Sequence, residues 1–108
     1  MMSFSFKKSE DNTLKLTLKD TSGEPLSILS SNFRVAIDVE LEDGNTQSFN
    51  SKQFLASDHS SEEGELVIPI SSTFLSPVPT GSHTLRVLSD INRDNSFGTI
   101  IQEKLTVS

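Results

Sequence analysis

Residues 33–41 alternate without a break: Phe33, Val35, Ile37, Val39 and Leu41 fall on one parity, and Arg34, Ala36, Asp38 and Glu40 on the other. Successive side chains of a strand point to opposite faces, so such a run buries one side and wets the other. A helical stripe needs apolar residues at spacings of three and four, and this run has none. Val35, Ile37 and Val39 are also β-branched, which suits a pleated surface. The same pattern recurs where Leu14, Leu16 and Leu18 alternate with Lys15, Thr17 and Lys19. A chain that begins this way folds as sheets.

Weaker runs complete the set. Leu66, Ile68 and Ile70 alternate, but Pro69 lacks a ladder donor, which places that strand at an edge or a bulge. Leu85 and Val87 alternate with Thr84 and Arg86. Ile101, Glu103, Leu105 and Val107 share a face that Glu103 interrupts, so a bulge or a sheet edge is expected there. Phe4 and Phe6 make a short first strand, and residues 46–49 a short strand after a turn. Glycines sit in the polar stretches between runs, and Asp43-Gly44 between two apolar runs predicts a hairpin. Short strands with regularly spaced turns predict a sandwich or a barrel.

The composition narrows the function classes. With 108 residues the expectation is one domain over 1–108. There is no cysteine, so no disulfide framework, thiolate zinc site or cysteine nucleophile is available. A net charge of −6 argues against nucleic acid, whose duplex needs a basic footprint. No window reaches the roughly 18 apolar residues of a helical membrane span. Behind the N-terminus Phe4 and Phe6 alternate with serines instead of forming an apolar block, so a protein made without a signal peptide is expected. Residues 104–108 stop in strand register, and the expectation is the N-terminal part of a longer protein.

Few residues invite chemistry, and neither a catalytic residue nor a cofactor or metal ligand is expected. His59 lies in Ser57-Asp58-His59-Ser60, but residues adjacent on one loop point apart, whereas a catalytic triad is assembled in space. The favoured reading is a solvated acidic loop. Asp90, Asn92 and Asp94 have the spacing of a calcium loop, but Asn95 stands where that loop needs glycine and Ile101 where it needs glutamate. Glu62 and Glu63 before Gly64 read as a charged turn. Phe33 and Phe49 fall in core register, while Phe54, Phe74 and Phe97 lie in irregular segments. Phe97, beside Gly98, is the candidate protein contact. The absence of Tyr and Trp, the usual anchors of sugar and protein sites, disfavours a carbohydrate module.

The order of features is more specific than any one of them. The lysine-rich strand is followed by Lys19-Asp20-Thr21-Ser22-Gly23-Glu24-Pro25-Leu26, the long strand, and Asp43-Gly44-Asn45. Gly64-Glu65-Leu66-Val67-Ile68-Pro69-Ile70 and Pro79-Thr80-Gly81-Ser82-His83-Thr84-Leu85-Arg86-Val87 follow. This order resembles the immunoglobulin-like domains at the N-terminus of phage baseplate upper proteins and of related phage tail or fibre proteins. The resemblance implies an all-β, immunoglobulin-like antiparallel β-sandwich of about seven strands with Greek-key connections. His83 stands where such domains place a corner tyrosine, and an imidazole N–H can donate in its stead. It further implies a non-catalytic attachment module that docks a larger protein onto the virion through other structural proteins, as a homo-oligomer, often a trimer, with no membrane contact. The alternatives are an immunoglobulin-like or fibronectin-like adhesin module at a bacterial surface, or a small ligand-binding sandwich. The last needs a concave pocket.

Overall fold

The long alternating run becomes strand β3, Asn32–Glu40, and it organises everything around it. In the computed structural model, which describes residues 3–60, 62–90 and 97–108, it pairs on both sides. The chain order is β1 (Ser3–Phe6), β2 (Asn12–Thr17), β3, β4 (Thr46–Asn50), β5 (Phe54–Leu55), β6 (Glu65–Ile70), helix α1 (Ser72–Leu75), β7 (Gly81–Ser89) and β8 (Gly98–Val107). A 3₁₀ turn over Ala56–Asp58 separates β5 from β6.

The larger sheet runs β1-β8-β7-β3-β4, with β5 also on β3, and the smaller one is β2-β6. Connections from β1 to β2, β2 to β3, β5 to β6 and β6 to β7 cross between sheets, which gives the Greek-key path of an immunoglobulin-like sandwich. The core fills the gap. Leu14, Leu16, Leu66 and Ile70 descend from the small sheet, and Phe33, Val35, Ile37, Leu85 and Leu105 rise from the large one, all inaccessible to solvent or nearly so. Ile28, Leu75 and Val78 seal it from the connections.

Two features depart from the expectations drawn from the sequence. β1 pairs β8 in parallel, Ser3 opposite Lys104 through Phe6 opposite Val107. The first strand therefore lies beside the last instead of extending the small sheet. The parallel pairing fits Phe6 into the core beside Leu105 and Val107. Counting the two-residue β5, the described residues form eight strands. Leu41 is the second departure: the strand ends at Glu40, and Leu41 begins the hairpin turn and is 39% exposed.

The punctuation fell where the residues placed it. Gly44 adopts φ +87° in the β3–β4 turn, closed by the Leu41 N–H donating to the Asn45 carbonyl at 2.7 Å. The bulge expected in β8 lies at Ile100: Val87 faces Ile101 while Leu88 faces Thr99. Ile101, Glu103, Leu105 and Val107 do share a face. β1 covers β8 only from Lys104 onward, so the first half of β8, with Glu103, is a free edge among the described residues. The corner before β7 is closed by His83, whose Nε2–H donates to the Pro79 carbonyl at 2.6 Å.

Candidate functional site

The small sheet has two strands, so the sandwich is open on the side where β6 faces the end of β4. The opening begins in a local irregularity. Asn50 sits opposite Ala36 and Phe54 opposite Phe33, so one extra residue is inserted between them. Ser51 holds the inserted stretch to β3: its N–H donates to the Val35 carbonyl at 2.8 Å, and its Oγ accepts from the Val35 N–H at 3.0 Å. Phe54 is thereby set beside Phe33, with ring centroids 6.1 Å apart.

The facing wall is built by capping. The Ser71 Oγ accepts from the Phe74 N–H at 3.1 Å, and the Asp11 carboxylate accepts from the Ser72 N–H at 2.9 Å. These bonds fix the single turn of α1 and hold Phe74 half-buried over the core. His59 closes one end, its ring edge-on to Phe54 at 4.7 Å.

The result is a groove of about 460 Å³ with Phe54, Ile68, Ile70 and Phe74 as walls. Asn50, Lys52 and His59 stand at its rim. Among the described residues no carboxylate lines it, in a chain with 15 Asp and Glu. Apolar walls with a few polar groups make a surface that binds by desolvation, with the Lys52 ammonium at the rim favouring an anionic group on the occupant.

The groove is bordered by strand edges of opposite character. The Leu18 N–H donates to the Gly64 carbonyl at 2.6 Å, which sets the ladder so that Leu66, Ile68 and Ile70 bond to β2. Glu65, Val67 and Pro69 turn their backbone groups outward. The Glu65 N–H is taken by the Glu62 carbonyl and the Val67 N–H by the His59 carbonyl. Pro69 has no N–H to offer. The outer edge of β6 thus presents no free donor.

β4 differs. The Leu41 N–H to Asn45 carbonyl bond and the Ser51 N–H to Val35 carbonyl bond place Gln47 and Phe49 in hydrogen-bonded pairs with β3. Thr46, Ser48 and Asn50 therefore direct N–H and C=O outward, and no described group bonds to them there.

Of the other candidates, Asp90 and Glu63 make structural hydrogen bonds. Asp90 accepts from both the Asn32 N–H at 2.9 Å and the Asn32 side-chain amide at 3.1 Å, which holds its carboxyl below the usual range. Asn92 and Asp94 lie outside the described residues. Glu62 and Glu63 sit in the expected turn before β6, and Glu63 is also a tether: the Ser27 hydroxyl and the Leu29 N–H hold its carboxyl low, the latter at 3.0 Å. Among the described residues no three His, Asp or Glu side chains group as a metal would need. Phe97 is half-buried, and the Arg34 guanidinium lies 5.0 Å over its ring, a cation–π contact. It does not line the groove. Phe54 and Phe74, which do, were readable in the sequence only as phenylalanines outside any alternating register.

No protein-family model matches this chain, and no curated protein matches its sequence.

Proposed function

We propose that this immunoglobulin-like domain is a non-catalytic assembly module, of the attachment kind that its resemblance to phage baseplate, tail and fibre domains implies. Its role is to join a larger protein to other structural proteins of a virion. The observation that carries this reading is the open side of the sandwich, where apolar walls and an unpaired strand edge meet. Groups of this kind gain by being covered: apolar area leaves water, and backbone donors and acceptors find partners. Size-exclusion chromatography with light scattering on the chain tests the reading. The expected result is a defined homo-oligomer, with a trimer at three times the 11.9 kDa chain mass. A strict monomer at every concentration would overturn the self-assembling form of the proposal.

A second reading is favoured by the groove volume. At about 460 Å³ it falls within the range of small-molecule sites, so a ligand-binding sandwich has the concave surface it requires. A thermal-shift screen of small anionic amphiphiles supports that reading if Phe74→Ala removes the shift, and excludes it if no compound raises the melting temperature.

A further inference from the structure

We propose that the open side of the sandwich receives an extended segment of a partner protein, which adds as a strand to the outer edge of β4 and seats an apolar side chain in the groove, with an acidic residue beside Lys52. This rests on the assembly reading and names the partner's chemistry at that site.

Three observations converge. First, Thr46, Ser48 and Asn50 turn outward N–H and C=O groups that no described residue pairs, at the alternate spacing that an incoming strand reads. Second, this edge runs into the groove: Asn50 and Lys52 belong to its rim. Phe49, on the inward face of β4, packs against the core. An added strand repeats that alternation, so its inward side chains enter the gap between the sheets, toward Phe54, Ile70 and Phe74. Third, the described residues bring the Lys52 ammonium and no carboxylate to the groove, in a chain of net charge −6. Lys52 favours an acidic residue on the occupant.

The contrast with the other edges selects β4: the outer edge of β1 and the free first half of β8 bring no lining residue to the groove, and the two strands of the small sheet are guarded. On β6 every outward N–H is taken or replaced by Pro69, a device that blocks strand addition. β2 also has an uncovered edge, but Lys15 sits at its centre, the residue type that guards edges, and no lining residue of the groove comes from it. β4 contains neither proline nor lysine: its sequence is Thr-Gln-Ser-Phe-Asn.

The test uses fluorescein-labelled synthetic nonapeptides that alternate Leu or Phe with Thr and carry one Glu. Companion peptides replace Glu by Gln, or methylate alternate backbone nitrogens. Binding is read by fluorescence polarisation and by amide shifts of the labelled chain. The expected shifts are confined to Thr46, Ser48, Asn50, Lys52 and the groove walls. Asn50→Pro removes an outward N–H without touching the β3 ladder, and should weaken binding about tenfold, as should backbone methylation of the peptide. Lys52→Glu should weaken the Glu peptide several-fold and leave the Gln peptide unchanged. If Asn50→Pro fails to fold by circular dichroism, the methylated peptide carries the same question. The inference is overturned if no peptide binds up to about 1 mM, if methylation changes nothing, or if the shifts fall on β2 or β8. It is equally overturned if a second copy of this chain occupies the edge, seen as a dimer that Asn50→Pro dissociates. Those outcomes leave the assembly reading to stand on its light-scattering result.

Discussion

Gly64 shows how much one missing side chain can decide. Its φ is +79°, and a Cβ there would lie 2.7 Å from the Pro25 Cβ and 2.8 Å from the Leu18 carbonyl oxygen. Gly44 has a similar φ of +87° but open space around it. Gly44→Ala should therefore cost about 1–2 kcal/mol, the strain of a left-handed backbone alone. Gly64→Ala should cost clearly more, because the backbone of β2's continuation must also move. Urea unfolding of the two variants measures the difference, and equal losses would contradict the close approach. His83 gives a second residue-scale case. Its imidazole does the work of a corner tyrosine by donating to the Pro79 carbonyl. His83→Phe should lose about 1 kcal/mol, while His83→Tyr should recover part of it in the same assay.

Elements were legible in proportion to how strictly they alternate. Leu14, Leu16, Phe33, Val35, Ile37 and Val39 are buried as their parity demands. The alternation that marked residues 33–41 overran at Leu41, because period 2 carries no information about where a ladder stops pairing. The 3₁₀ turn and α1 have three and four residues, too short for any helical periodicity to register. The parallel β1–β8 pairing joins residues about a hundred positions apart, and nothing local to Phe4 or Phe6 announces it. Pro69 was legible as an edge residue, and its outward direction shows what it guards. Pro69→Thr restores an outward donor in the middle of an edge. The expected outcome is a near-unchanged melting temperature with new concentration-dependent association in light scattering. A variant that stays as dispersed as the parent would mean that the edge needs no guard.

Across the whole molecule, carboxylates serve as fasteners. Burial raises the Asp38 carboxyl, but the Arg86 guanidinium and the Ser48 hydroxyl outweigh it and leave it below its ordinary value. Asp90 and Glu63 are lowered by bonds from Asn32 and from Ser27 and Leu29. A lowered folded-state pKa means the folded chain holds the charged form more firmly than the unfolded one. The stabilisation is thus complete above the unfolded value, near 4 for these groups, and is lost as pH falls through the lower folded values. Stability should therefore be steady near neutrality and drop below about pH 4, with a shallower drop in Asp38→Asn. Denaturant titrations across that window read both slopes, and parallel acid limbs in parent and variant would contradict the role given to Asp38. The groove was the least legible feature of all. Phe54 and Phe74 lie twenty positions apart and meet only because an inserted residue and a serine cap turn both toward β6.

The two edges beside the groove are asymmetric: β4 presents an open edge among the described residues, while β6 presents a closed one. Amide hydrogen exchange of the free chain, read residue by residue by NMR, tests this asymmetry most directly. The predicted pattern alternates along β4, with Thr46, Ser48 and Asn50 exchanging fast and Gln47 and Phe49 slowly, while Val67 in β6 is protected by the His59 carbonyl. Uniform protection along β4, or fast exchange at Gln47 and Phe49 with slow exchange at their neighbours, would contradict it.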